Sequence, residues 1–315
     1  MTDYKTSLKT GFKDGIKKGW HSFLWMSRIA VPVSFVITLL QWSGWIEKLD
    51  FLLNPLTGFI NLPSEAALPI LSGLFGNLYA VIAVLAVIPF SIPQMTLIAL
   101  FTLIAHNLIL EGIIQHKSGI NVVKVIIVRV ATAVLMVFVV SQFFDNTAQA
   151  VVLPVGLTPE TPFLEVLLDW ALSTLYLLAT IFGIIMGIMV FLGCLKELGW
   201  TDKAVGGMRP LMRILGLPGQ AAMIFVAAAI FGLVFAGAII VEEAKKDELT
   251  RREMEYLHIF VAIKHAVFED PLLFTAFGVN VLWLWFPRLI AAIVAVQAYR
   301  LINLTTSGFS RLIGR

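Results

Sequence analysis

Eight apolar runs fix what this chain can fold into. They fall at 28–46, 66–90, 93–115, 122–144, 166–193, 219–241, 256–276 and 281–302. Each is long enough to cross a hydrocarbon core of about 30 Å as a helix. Apolar runs of this length recurring along the whole chain mark a polytopic membrane protein. The expected class is therefore an all-α polytopic membrane protein. Only 14% of residues are charged, against about 25% in soluble domains. The longest charged stretches are the first 28 residues and a short segment near 242–255, and there is no room for a separate soluble domain. A lone cysteine, Cys194, excludes an intramolecular disulfide and a cysteine-based metal cluster.

The basic residues decide how many runs cross. With eight full crossings and an internal N-terminus, the linker 145–165 would be cytoplasmic. It carries Asp145, Glu160 and Glu165 but no Lys or Arg. The segment 195–218, with Lys196, Lys203, Arg209 and Arg213, would be external. Both placements violate the positive-inside rule. If 66–90 and 219–241 instead enter and leave on one face, six crossings remain. The external segments 47–65, 91–92, 145–165 and 277–280 then hold one basic residue, Lys48. Both termini and the cluster Lys245, Lys246, Arg251 and Arg252 become cytoplasmic. Small or polar residues lie near the middle of both odd runs: Ser72-Gly73 and Gly76-Asn77, and Ala227 to Ala229 with Gly232. These are the places where a re-entrant helical hairpin would turn.

The chain also repeats itself. PLTGFINLPSEAA at 55–67 and PLMRILGLPGQAA at 210–222 share Pro, Leu and Ala at six of 13 positions, 155 residues apart. Gly44-Trp45 matches Gly199-Trp200 at the same offset, and His106, Glu111 and Arg129 match His265, Asp270 and Arg288 at an offset of 159. Each copy reads as transmembrane helix, interfacial helix, hairpin and two transmembrane helices. Three crossings per copy is an odd number, so the second copy lies upside down: an inverted repeat, as in many secondary transporters. The expected organisation is a basic amphipathic segment at 1–27, repeat 1 at 28–144, an external linker at 145–165, repeat 2 at 166–302 and a cytoplasmic tail at 303–315. Lys5, Lys9, Lys13, Lys17 and Lys18 alternate with Tyr4, Leu8, Phe12 and Ile16, which suits a helix lying on an anionic membrane face.

Ionisable groups within the apolar runs are costly, and so mark a candidate site. His106 and His265 lie near the centres of their runs. Glu269 is one helical turn beyond His265 and has no acidic counterpart in repeat 1, where Leu110 aligns. Pro271 follows and would loosen the helix. His106, His265 and Glu269 together suit a divalent transition metal. The histidines equally suit a proton relay, or a purely structural role bonding the hairpin backbone. Asn107, Ser72 and Asn77 are further candidates for the path or for caps. Glu111 with Arg129, and Asp270 with Arg288, read as structural ion pairs, one per leaflet. Lys264 and His258 read as snorkelling groups near the cytoplasmic side.

A surface helix ending in Leu-Pro (Leu62-Pro63, Leu217-Pro218), a hairpin rich in small residues and a polar-bearing helix together resemble the Gate, or nucleoside recognition, family. The resemblance covers roughly residues 40–302. That family includes parts of concentrative nucleoside transporters, the membrane part of bacterial ferrous iron transport protein B and the paired spore maturation proteins. No P-loop of the iron protein's GTP-binding domain occurs. The resemblance implies a multi-pass protein of the bacterial cytoplasmic membrane that moves a small solute or ion by alternating access. H⁺ or Na⁺ is a candidate coupling ion. The His and carboxylate content leans toward a divalent metal such as Fe²⁺ as the substrate. A nucleoside or other polar solute is the first alternative. A non-transporting assembly partner, in a homo-oligomer or with a related membrane protein, is the second. An intramembrane metalloenzyme ranks last, because no catalytic motif is present. Nothing points to nucleic acid; the expected partners are the bilayer and the transported species.

Overall fold

The computed structural model describes residues 4–48, 57–60, 62–144, 160–243 and 249–313. Among these every regular element is helical. In chain order they are α1 (Tyr4–Trp42), α2 (Trp45–Lys48), α3 (Ala67–Leu71), α4 (Leu78–Leu85), α5 (Ile92–Ile104), α6 (Leu108–Lys117) and α7 (Val122–Ser141). The second half has α8 (Phe163–Glu197), α9 (Trp200–Leu215), α10 (Ala221–Glu243), α11 (Arg251–Ile263), α12 (Glu269–Leu273) and α13 (Leu282–Ile313). Among the described residues, five stretches are long and apolar enough to cross a membrane: α1, α5 with α6, α7, α8 and residues 282–303 of α13. The protein is a multi-pass membrane protein. Most of the linker expected at 145–165, the positions Pro55, Leu56 and Asn61 of the first repeated stretch, and Lys245 and Lys246 lie outside the described residues.

Burial orders these helices from centre to rim. In the α5–α6 stretch, 72% of the most apolar window is buried, against 22–33% for the other four. Lipid is as apolar as leucine, so an outer helix can leave its apolar side chains exposed. Leu135 and Phe138 of α7, and Leu172 and Leu175 of α8, are exposed in this way. The second central helix, α11, has eight consecutive buried residues from Tyr256 to Ile263, and Met254 is buried as well.

The longest contact is between α1 and α8, which run antiparallel along nearly their full length. Near one end Gly11 and Gly15 face Gly193, Cys194 and Val190. A Cβ on Gly15 would lie 2.5 Å from the Val190 Cα, so only glycine lets these backbones meet. The contact continues through Phe23 on Phe182, with rings 5.0 Å apart. It passes Trp170, whose indole donates to Ser34 Oγ at 3.2 Å, and ends where Trp42 donates to the Thr161 carbonyl at 2.9 Å. The basic segment is thus not a separate surface helix. No break separates it from the first span, because Gly11, Gly15 and Gly19 extend the α8-facing stripe to the N-terminal end. At about 1.5 Å per residue, the 39 residues of α1 are far longer than a hydrocarbon core of about 30 Å. Its lysine-bearing end projects beyond it.

The two small-residue runs break at matching places. After α3 the chain makes a wide π turn over Ser72–Gly76 and becomes fully extended at Asn77. The Asn77 side chain then caps α4, accepting from Tyr79 N and Ala80 N at 3.0 and 3.1 Å. In the second half α10 is interrupted at Gly232, where φ is +77° and ψ is 167°. Gly232 is 155 residues after Asn77. Before it, α9 is amphipathic, with Met212 and Leu215 buried and Arg209 and Arg213 exposed.

Candidate functional site

Both central helices stop at a histidine. Helix α5 ends at Ile104 and α6 begins at Leu108; α11 ends at Ile263 and α12 begins at Glu269. Asn107 and Ala266 are the only described non-glycine residues with positive φ, at 55° and 43°. A side chain in this left-handed region costs roughly 1–3 kcal/mol. Asn tolerates it; Ala does so poorly.

Breaking a helix at membrane depth frees carbonyls and amides that need partners. The same solution appears twice. The amide of Asn107 donates to the Gly73 carbonyl at 2.8 Å, and that of Ala266 to the Ala228 carbonyl at 3.1 Å. From α7, Arg129 donates through Nε to the Ile104 carbonyl and through Nη2 to the His106 carbonyl, both at 3.0 Å. From α13, Arg288 donates to the Ile263 carbonyl at 3.2 Å and to the His265 carbonyl at 3.1 Å. Both guanidinium groups are completely buried.

These breaks bring the two imidazoles together. His106 Nδ1 lies 2.8 Å from the Thr102 carbonyl, and His265 Nδ1 lies 3.1 Å from the Val261 carbonyl. A carbonyl oxygen only accepts, so each Nδ1 carries the ring proton. The two Nε2 atoms then face each other as acceptors, 3.2 Å apart. Two lone pairs at that distance repel unless a proton or a cation lies between them. Glu111 Oε1 stands 3.4 Å from His265 Nε2 and 3.8 Å from His106 Nε2. Asp270 Oδ2 is 4.0 Å from His106 Nε2. Ligand atoms of His106, His265 and Asp270 all fall within 4.8 Å of one another.

Three expectations change here. Asp270, not Glu269, supplies the carboxylate on the repeat 2 side. The expectation for Glu269 rests on an unbroken helix from His265, and the chain is not helical between Ile263 and Glu269. The Glu269 carboxylate instead accepts from Tyr79 Oη at 3.2 Å. Glu111 and Arg129 do form an ion pair, but no ion pair joins Asp270 to Arg288 among the described residues. Arg288 Nη1 has no hydrogen-bond partner there. Finally, His258 and Lys264 do not snorkel. Both are buried, and Lys264 donates to the Trp285 carbonyl at 2.9 Å. Asn107 contributes backbone geometry and Asn77 a cap, while Ser72 lies in the π turn. Tyr79 carried no sequence signal; Lys264, next to a mid-span histidine, did.

The family comparison falls on one half of this geometry. A family model described as nucleoside recognition, Gate, matches residues 178–279. That stretch of the chain is similar to a Gate domain. The match includes His265, Glu269 and Asp270, and stops before Arg288. The chain is also similar to "Uncharacterized membrane protein YvoD" of Bacillus subtilis (strain 168), with 27% identity over 298 residues, 92% of this chain and 94% of the relative. No solved structure matches.

Proposed function

We propose that this protein is a transporter of the bacterial cytoplasmic membrane that moves a divalent metal ion by alternating access, with His106 and His265 as the central ligands. The observation that carries the reading is the pair of Nε2 lone pairs 3.2 Å apart. Two imidazole nitrogens each about 2.0–2.1 Å from one ion sit roughly 3.0–3.4 Å from each other. Glu111 and Asp270 are close enough to complete the set with modest rotation. Hard oxygen donors beside imidazole suit Mn²⁺, Fe²⁺ or Zn²⁺.

An inverted repeat of six crossings and two hairpins accounts for the rest of the architecture. It makes α1 and α8 equivalent elements of opposite orientation, which is how they pack. It makes the Asn77 and Gly232 breaks the tips of two re-entrant hairpins, entering from opposite faces. It places the two histidines on a pseudo-twofold axis near the midplane, where such carriers bind substrate.

The test is metal binding by calorimetry in detergent, followed by uptake into proteoliposomes. The wild type binds Mn²⁺, Fe²⁺ or Zn²⁺, and His106→Ala and His265→Ala each weaken binding by more than about a hundredfold, beyond what a lost outer-shell partner costs. Unchanged binding in both variants would overturn the reading. A second reading rests on the same atoms: one proton held between the two Nε2 atoms, coupling the uptake of a polar solute such as a nucleoside. It requires flux that follows a proton gradient without any metal.

A further inference from the structure

A cavity of ≈ 620 Å³ lies between α1 and α8. Exposed Lys17, Lys18, His21 and Lys196 line it together with half-buried Ile230 and Glu269. These residues come from three places the site needs: the projecting end of the α1–α8 pair, the segment just before the Gly232 break, and the residue next to Asp270. Tyr79, whose hydroxyl holds Glu269 at 3.2 Å, is in the first half. The cavity therefore runs from a basic outer end to Glu269, the neighbour of Asp270 in sequence, and the Tyr79–Glu269 bond at that end joins the two halves.

We propose that this cavity is the cytoplasmic arm of the metal path, and that the Tyr79–Glu269 hydrogen bond is its inner gate. The inference rests on the reading of the histidine pair as a divalent-cation site. Opening the gate lets the Glu269 carboxylate turn from Tyr79 toward the ion, giving it an oxygen ligand on the way out. The rim has a further consequence. Lys17, Lys18 and Lys196 outnumber the one acidic residue there, Asp14, so their field lowers the local concentration of a free cation. Metal released into the cavity rebinds slowly from this side.

The test uses the full-length protein in a Cys194→Ser background, with Ser22→Cys and Met189→Cys as reporters in the cavity and Ile290→Cys as a lipid-facing control. A membrane-impermeant, positively charged thiol reagent modifies both reporters from the cytoplasmic face only, and leaves the control untouched. Tyr79→Phe speeds Mn²⁺ release into the cytoplasmic compartment several-fold. Replacing Lys17 and Lys196 with Gln raises the rate of Mn²⁺ binding from that face several-fold at low salt, and not at about 0.5 M salt, where such charges are screened. Modification from the outer face, or none at all, overturns the access route. Unchanged release in Tyr79→Phe overturns the gate. Calorimetry with His106→Ala on the same preparation separates these failures from failure of the metal site, because binding at the histidines does not depend on where the path opens.

Discussion

The two histidine breaks are built on the same backbone plan and finished differently. In the first half the Arg129 guanidinium is fully used: two freed carbonyls and the Glu111 carboxylate accept from it. In the second half Arg288 makes the same two carbonyl bonds, and its Nη1 has no partner among the described residues. The aligned acid, Asp270, is one methylene shorter and lies in the first turn of a new helix beside Pro271. Its carboxylate turns to His106 instead. One half is thus locked by an ion pair, and the other keeps its acid free to engage the centre. A duplicated frame with one relaxed side is what a site that must change shape between two states requires.

The largest expected effect separates the two arginines. Arg129→Leu strands the buried Glu111 and two carbonyls, and should cost about 3–5 kcal/mol, the cost of breaking a buried pair. Arg288→Leu strands only the carbonyls and should cost roughly 1–3 kcal/mol. Thermal unfolding in one lipid or detergent reads both. Equal losses would mean that the halves are energetically alike and that the asymmetry of the acids carries no weight.

Part of this asymmetry was legible in the sequence. The offset of 159 residues pairs His106 with His265 and Arg129 with Arg288, because identical types recur at fixed spacing inside apolar runs. Glu111 and Arg129 could be paired by depth alone. The second acid could not be assigned, because an ideal-helix projection puts Glu269 under His265 and the helix stops two residues earlier. Asn107 hints at that stop, since Asn tolerates the left-handed region, but Ala266 gives no hint. Its conformation is imposed by tertiary bonds to Ala228 and by Arg288. Likewise the glycines that carry α1 along α8 are spaced four apart, yet the lysines between them read as a surface segment. Their true role appears only when the partner helix is known.

A middle-sized effect comes from exchanging the acids. Asp270→Glu adds the missing methylene and lets the carboxylate reach Arg288 Nη1. The expected result is a stabilisation of about 1.5 kcal/mol, the low end for a hydrogen bond to a charged group, with Mn²⁺ bound more weakly because the acid has left the centre. Glu111→Asp does the reverse at Arg129 and lowers stability by a similar amount. If both exchanges shift unfolding in the same direction, the two acids are not set apart by reach.

The smallest effect tests the breaks themselves. Asn107 at φ 55° and Ala266 at φ 43° occupy the same left-handed position, but alanine is the more strained there. Ala266→Gly removes that strain, while also making the unfolded chain more flexible, which opposes the gain. The net should be a stabilisation of a few tenths of a kcal/mol up to about 1 kcal/mol. Asn107→Gly relieves less strain at the same entropic cost and should be neutral or slightly destabilising. The difference between the two is the quantity to measure, because it cancels what glycine does to any unfolded chain. A positive difference in favour of Ala266→Gly would place stored strain on the half that carries Asp270. If the relaxed conformer also weakens Mn²⁺ binding, that strain is holding His265 against His106. If binding is untouched, Arg288 and the Ala228 carbonyl suffice to hold it.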